Sequence, residues 1–557
     1  MFVRVKTSPN SPKKSVQIVE SIRDGAKVKQ KIIRHVGTAL DDQELSALKD
    51  LAEHIKAKME QEGEQYYLFD SDTLAKMAIE ARNNPQTGED LRVDLKKLKE
   101  EQRITSGIHD VYGQVFQTIG FDRVISNPKR KVAAVKNLFE VVMGRIANPA
   151  SKLATTEMLA QQYGVNISVS AIYRMMEHID DQAIENIQKK AWQTAQSLFK
   201  DPIEVLFYDC TTLYFESFIE DELKENGYSK DMKFNQPQVL LALLVTPAGL
   251  PIGYEVFSGS TFEGDTLAKA IEKIESFYQI DKLVFVADSA MLSDDNLKLL
   301  ESKGKDYIVG ARIKNMNQKI TAQILDKQNY QDISASDSSE TILLKQIQLD
   351  QPRRLIVTYS SKRAKKDAFD REKAVDKLVE KLKKSKNPKS LLSNYGYKKY
   401  VQVSGDVNVV VNEEKIAGDA KWDGLFGIIT NLKQTPAQEV LAHYHGLWQI
   451  EQCFRVSKHD LKIRPVFHWT PRKVKAHIAI CFMALTCVRY LNYRLKTQGI
   501  NLSEQAIRNA LLQVQISILK HQQTGKYYGI PSRKTTEAEK IYKSMGIKLS
   551  DTPFLIK

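Results

Sequence analysis

Two short apolar runs each end in an aspartate, and that placement constrains the chain more than any other feature. Glu204-Val-Leu-Phe-Tyr-Asp209 and Leu283-Val-Phe-Val-Ala-Asp288 read as buried strands, because short β-branched and aromatic runs suit a covered, pleated sheet. A carboxylate at the edge of a core is costly unless a cation or hydrogen-bond donors meet it. Ligand sites in open α/β sheets lie at the carboxyl ends of strands, so adjacent strands would bring both acids to one point. Either aspartate alone reads as a turn cap; their shared placement favours a common site.

The flanking sequence supplies the rest of a mixed α/β layer. Strands are predicted over 239–246 and 252–257, with Pro247-Ala-Gly249 as the turn between them, then at Asp306–Gly310. Helices are predicted over 264–277 and 293–302. Over 313–421 the alternation stops, giving way to polar β-like pieces and a basic helix over 362–386. A short strand resumes at 427–430. A long helix then opens with Thr435 as N-cap, Pro436 at its first position and Gln438 three residues on. Apolar helices are predicted over 472–496 and 503–520.

That long helix carries a third acid, in Tyr444-His-Gly-Leu-Trp-Gln-Ile-Glu451-Gln-Cys-Phe-Arg455-Val-Ser-Lys458. Tyr444, Glu451 and Lys458 are spaced by seven, which drifts only about 20° around a helix and leaves all three on one face. The same stripe also reads as an ordinary exposed helix surface, since Glu and Lys are good helix formers. A hard divalent ion such as Mg2+ takes oxygen ligands and keeps waters, so two or three carboxylates suffice. Two such ions can activate a water or 3′-hydroxyl and stabilise the leaving oxygen in phosphodiester chemistry.

Charge points to a polyanionic partner. The 557 residues carry a formal net charge of +14. Residues 1–40 hold nine Lys and Arg against two Asp and Glu, and residues 353–399 hold sixteen against five, which leaves the remainder slightly acidic. Basic segments attract nucleic acid, though a charge run also reads as a solvated helix face. No amphipathic face with Trp anchors accompanies them to suggest a membrane surface. The longest apolar run, 478–488, is about half the roughly 20 residues a spanning helix needs. Met1-Phe-Val-Arg-Val-Lys lacks an apolar signal core, so no membrane and a cytoplasmic location are expected. The four cysteines, Cys210, Cys453, Cys481 and Cys487, show no metal or disulfide spacing. Residues 15–34 read as a hairpin turning at Asp24-Gly25, while 42–62 and 89–104 read as charged helices. Residues 153–178 outline a helix-turn-helix: a helix, a turn at Tyr163-Gly164-Val165, and a second helix capped by Ser168 or Ser170.

With these motifs together, the chain resembles the DDE transposases of bacterial insertion sequences, in the branch whose third acid lies in a tyrosine–arginine–glutamate–lysine signature. Tyr444, Glu451 and Lys458 fit that signature's spacing, and Leu447 stands where its arginine would be. Tyr-Asp209-Cys-Thr-Thr, Ala-Asp288-Ser and Tyr-Ser-Lys-Asp over 228–231 also match. The resemblance implies a ribonuclease-H-like core with a β-rich insertion, preceded by a hairpin and a helical DNA-binding region. It divides the chain at 1–40, 41–200, 201–312, 313–422, 423–465 and 466–557, the last read as a C-terminal helical region. It implies cut-and-paste transposition, with Asp209, Asp288 and Glu451 as catalytic metal ligands and two Mg2+ or Mn2+ ions. The partner is double-stranded DNA, engaged by a homodimer at the bacterial nucleoid. Tyr444, Arg455, Lys458, Lys362, Arg363, Lys365 and Lys366 are the expected DNA contacts, with Arg455 replacing the missing guanidinium. The alternatives are a DNA-binding regulator with a decayed core and a domesticated nuclease without integration.

Overall fold

The computed structural model describes residues 2–8, 11–24, 27–39, short pieces between 45 and 56, 71–84, 91–127, 131–216, 219–228, 235–278, 283–289, 293–334, 339–350, 352–384, 398–404, 408–549 and 551–556. Residues 1–74 and 75–557 form two separate compact units. In the first, β1 (Phe2–Ser8), β2 (Ser11–Asp24) and β3 (Lys27–Ala39) make an antiparallel sheet in that order. The predicted hairpin is β2–β3, with Asp24 opposite Lys27; Gly25 lies outside the described residues. β1 is an addition to that reading. Its Val3 and Val5 alternate with Arg4 and Lys6, so one face packs against buried Val16 and Ile18. Most of the helix predicted over 42–62 lies outside the described residues.

The second unit begins within α1 (Ser71–Asn83), followed by β4 (Leu98–Thr105) and a helical layer. That layer is α2 (Gly107–Ile119), α3 (Val132–Ala147), α4 (Lys152–Tyr163), α5 (Val169–Met176) and α6 (Asp181–Ser197). α4 and α5 follow the predicted helix-turn-helix outline. Ser151 accepts the Ala154 N–H, Gly164 ends α4 at φ +63°, and Ser168 accepts the Ala171 N–H.

The sheet then starts with β5 (Val205–Tyr214), β6 (Gln238–Val245) and β7 (Pro251–Ser258), joined by antiparallel pairing. After α7 (Thr266–Lys273), β8 (Val284–Ala287) pairs parallel to β5; after α8 (Asp294–Ser302), β9 (Asp306–Gly310) pairs parallel to β8. The order β7-β6-β5-β8-β9, antiparallel on one side of β5 and parallel on the other, is the ribonuclease-H-like arrangement.

Beyond β9 come α9 (Gln318–Leu325), β10 (Gln331–Asp332), β11 (Ile342–Gln348), β12 (Arg354–Ser360) and α10 (Ser361–Lys384). β13 (Val401–Ser404), β14 (Asn408–Val411), α11 (Glu413–Ala420) and β15 (Leu425–Thr430) follow. β15 pairs antiparallel to β9, and β12, β11 and β10 add in turn, so strands of the predicted insertion extend the same sheet to nine. Alternation in β12 shows why: Leu355 and Val357 join the core on one face and Ile356 the core on the other.

The remaining elements are α12 (Ala437–His445), α13 (Trp448–Arg455), α14 (Pro471–Thr497), α15 (Glu504–Leu512), β16 (Gln515–His521), β17 (Tyr527–Pro531), α16 (Thr536–Met545) and β18 (Phe554–Ile556). α14 is long and apolar enough to cross a membrane by length and composition, yet 94% of its apolar window is buried inside the protein. A helix apolar all round suits that central position.

Two sequence readings fail here for one reason. The helix predicted over 89–104 is a 3-10 turn at Leu95–Lys97 followed by β4. The helix predicted over 503–520 ends at Leu512, and β16 begins at Gln515. β4 and β16 pair with each other, and with β17 and β18 they form a four-stranded antiparallel sheet. The 466–557 region is therefore not purely helical. Helix-forming Lys, Glu and Gln in β4 express only a weak local preference, and pairing with a strand some four hundred residues away overrides it.

Candidate catalytic site

Side-chain alternation sets the two aspartates on the same face. Along β5, Leu206, Tyr208 and Cys210 belong to one core, and Phe207 and Leu213 to the other. Asp209 therefore faces with Phe207. Along β8, Phe285 and Ala287 share the first core and Val286 the second, so Asp288, which follows the strand, faces with Val286. Tyr208 is paired with Ala287, so Asp209 and Asp288 are the next residues on neighbouring parallel strands, whose backbones run about 5 Å apart. Asp288 follows the end of its strand as predicted. Asp209 does not, because β5 runs on to Tyr214 by continued pairing with β6. It is β8 that stops there, opening the sheet beside Asp209.

The helices carrying Tyr444 and Glu451 cover this face. Val440 and Leu441 of α12, and Ile450, Cys453 and Phe454 of α13, pack into the core that contains Phe207 and Val286. The single long helix of the sequence reading is broken. Gly446 and Leu447 form a tight turn between α12 and α13, with Leu447 N–H donating to Tyr444 O (3.1 Å) and Gln449 N–H to Gly446 O (3.0 Å). A Cβ on Gly446 would press into the Phe207 ring, so only glycine lets this turn rest on β5 so close to Asp209. Val456–Asp460 is a π-helical turn that contains Lys458, so Tyr444, Glu451 and Lys458 are not a stripe on one regular helix. The N-cap is Pro436 rather than Thr435.

Tyr444 joins the three acids electrostatically. Its hydroxyl lies against Gly310, where an added Cβ would also stand 3.2 Å from the Ser289 N atom. Its phenol is pushed above the ordinary range, first by burial and next by the charge of Asp288; Glu451 and Asp209 add to this and Arg363 opposes it. Each aspartate accepts the N–H of the following residue, Cys210 at 2.7 Å and Ser289 at 2.5 Å. Among the described residues, no three His, Cys, Asp or Glu side chains are grouped closely enough to hold a metal ion.

The sequence model of a family described as "Transposase DDE domain" matches residues 200–487. The chain belongs to the DDE transposase family. A second match, to the N-terminal domain of IS1634 family transposases, covers residues 3–66, so this is a DNA transposase of an insertion sequence. No curated protein matches the chain. Solved structures that are similar include the piggyBac transposase in a synaptic complex with hairpin DNA, at 10% identity over 73% of this chain and 76% of that one, with a TM-score of 0.36. The Mos1 transposase in a paired-end complex with its left transposon end matches at 12% identity over 29% of this chain and 54% of that one, with a TM-score of 0.15.

In the transposase, the other predicted site residues are dispersed. Glu451 and Arg455 are exposed on α13, and Lys458 is half-buried. Leu447 packs partly against the core beneath α12 and α13. Lys362, Lys365 and Lys366 are exposed on α10. Arg363 differs from those three: its guanidinium lies 4.9 Å over the Phe426 ring, and Phe426 lies 5.2 Å from the Tyr444 ring. This stack carries a cation of α10 towards the acids. Of the Tyr-Ser-Lys-Asp match over 228–231, only Tyr228 is among the described residues.

A buried network that sequence reasoning missed supports α13. Arg489 of α14, 3% exposed, donates to Gly249 O (2.8 Å), Gln449 Oε1 (2.8 Å) and Glu504 Oε1 (3.1 Å). Glu504 also accepts from Asn492 and Gln452, each at 2.8 Å. Gln449 and Gln452 flank Glu451, so the network fixes the turn of helix that bears it. An arginine directly after a long apolar run within a helix, as Arg489 follows 478–488, is the signal for such a partner, because buried cations need one.

Proposed function

We propose that this transposase cuts DNA at the ends of its element and joins them to target DNA, with Asp209, Asp288 and Glu451 holding two Mg2+ or Mn2+ ions. The observation that carries the reading is the side-by-side placement of Asp209 and Asp288 beneath the helices of Glu451 and Tyr444. The donors are all carboxylate oxygens, which suit hard divalent ions rather than zinc or copper. Bound divalent ions would activate the attacking oxygen and stabilise the leaving one. Tyr444, kept protonated, offers its O–H to a phosphate oxygen, and Arg363 adds positive charge behind it. The substrate is double-stranded DNA, and because two ends must be joined the working form is a homodimer on DNA, at the nucleoid in the cytoplasm.

The test is to incubate the full chain and Mg2+ or Mn2+ with a plasmid carrying the DNA that flanks the coding region. Breaks at both flanks and joined products on a second plasmid are expected. Breaks without joined products would leave a nuclease, and no breaks with either ion would overturn the proposal.

Two narrower outcomes follow from the same site. Neutralising Lys362, Arg363, Lys365 and Lys366 together should flatten the salt dependence of DNA binding, by roughly one unit of slope for each phosphate that is no longer neutralised. Arg363→Gln alone should also slow cleavage, whereas Lys365→Gln should not; equal cleavage by both would remove Arg363 from the site. For Arg455, replacement by Lys keeps the charge and removes the planar fork. Strand transfer should fall in Arg455→Lys and be partly restored by adding Leu447→Arg. A silent Arg455→Lys would mean the arginine is only a surface charge.

A further inference from the structure

Apart from the three acids, a cavity of about 490 Å³ opens between the start of α4 and the segment linking α13 to α14. Arg145, Lys152, Lys462, Arg464, His468 and His477 line it, and no Asp or Glu is among its lining residues. Lys152, the first residue of α4, is only 8% exposed. No carboxylate pairs with its ammonium among the described residues. A buried ammonium without a counter-charge is expensive, so such a group is normally matched by an anion. Burial lowers the Lys152 pKa to about 8, with Arg145 adding to the effect. Burial also holds His468 at about 3, with help from Lys152, Arg145 and Lys473. His477 is lowered in the same way. Both rings are therefore neutral near pH 7, and the cavity's positive charge comes from its lysines and arginines. The N-terminus of α4, a helix of 12 residues capped by Ser151, adds its own partial positive charge to the same wall.

The cavity also lies along the strand that holds the first aspartate. Phe215 forms a parallel bridge with Val466, and Val466 N–H donates to Tyr214 O at 3.1 Å. The segment bearing Lys462, Arg464 and Phe467 is thus fastened to the far end of β5. From Asp209 to Phe215 a strand advances about 20 Å, which is roughly six nucleotides along one DNA strand. Phe467, 63% exposed, stands at the cavity wall.

We infer that this cavity grips a single backbone phosphate of the transposon-end DNA, roughly six nucleotides from the phosphate being cut. The inference rests on the transposase reading above. Its ligand chemistry is a phosphate group, and its source is a DNA phosphodiester rather than a free anion. Here α4 contributes an anion site at its N-terminus, a role separate from base reading by a helix-turn-helix.

Lys152→Met removes the charge and keeps most of the apolar stem. Without DNA, this variant should unfold at a higher temperature than the wild type, because an uncompensated buried charge is gone. Binding to a duplex from the flanking DNA, measured without divalent ions, should lose about one unit of salt slope. Lys462→Asn is the second variant. It removes an exposed charge, and asparagine tolerates the left-handed backbone at φ +45°, so the fold is not at risk. It should shift the slope in the same direction. Replacing single phosphates of the duplex by neutral methylphosphonates should reveal a position that weakens wild-type binding but not binding by Lys152→Met. Unchanged slopes in both folded variants, or no such position, would overturn the inference. Thermal stabilisation of the wild type by inorganic phosphate with unchanged DNA slopes would also overturn it, since the cavity would then serve a free anion. Because binding is read without metal, a protein that shifts slope as expected yet never cleaves would sink the proposed reaction and leave the pocket standing.

Discussion

Asp209→Ala, Asp288→Ala and Glu451→Ala should each lower end cleavage by about a thousandfold or more, while binding to end DNA stays near wild type. The size follows from the chemistry. Divalent ions contribute several kcal/mol to a phosphodiester transition state, and each 1.36 kcal/mol is a factor of about ten in rate. Losing one of three ligands should forfeit most of that. Binding is spared because backbone contacts spread over many lysines and arginines dominate affinity; removing an acid even relieves some repulsion. Gel shift without metal and cleavage with Mg2+ measure the two halves separately. A single alanine variant that cleaves at near wild-type rate shows that its residue is not a ligand. Asp288→Cys sharpens the test, since a softer sulfur ligand should favour Mn2+ over Mg2+ and return partial activity only with Mn2+.

Glu504→Ala should be the most damaging substitution outside the three proposed metal ligands. It would leave Arg489 buried at 3% exposure without its carboxylate, and strip Asn492 and Gln452 of an acceptor. Breaking a buried ion pair from one side typically costs about 3–5 kcal/mol. Denaturant unfolding should show that loss as an earlier midpoint with a similar slope. Cleavage by the folded fraction should fall as well, because Gln449 and Gln452 hold the turn of α13 that carries Glu451. The double change Arg489→Met with Glu504→Leu removes both charges and should recover much of the stability. If it recovers cleavage equally, the network does not position Glu451.

The core strands were legible because their signals are local. An apolar run of β-branched and aromatic residues such as Leu206-Phe207-Tyr208 or Phe285-Val286-Ala287 is buried in almost any fold, and an aspartate beside it is conspicuous. The helix cap at Ser168 was legible on the same ground, since one side chain meets one N–H three residues on. β4 and β16 were not, because a pairing partner so distant in the chain leaves no trace within a window of ten residues. The change in texture after residue 312 was visible, but not that β11 and β12 continue the sheet beyond β15.

By itself the sequence singled out the residues proposed to carry the chemistry: three carboxylates in order, two beside apolar strands and one on a predicted helix, between basic segments. That information is a matter of residue type and short spacing. Only the tertiary structure decided how the segments bearing those residues are arranged. The pairing of Tyr208 with Ala287 sets the aspartates abreast, and Gly446 lets a broken helix settle on Phe207. Arg363 approaches Tyr444 by stacking over Phe426, a residue of another element. Each of these is a contact between segments far apart in the chain, where register, close packing and the pairing of buried charge act, and none of those forces is written in a local pattern of residues.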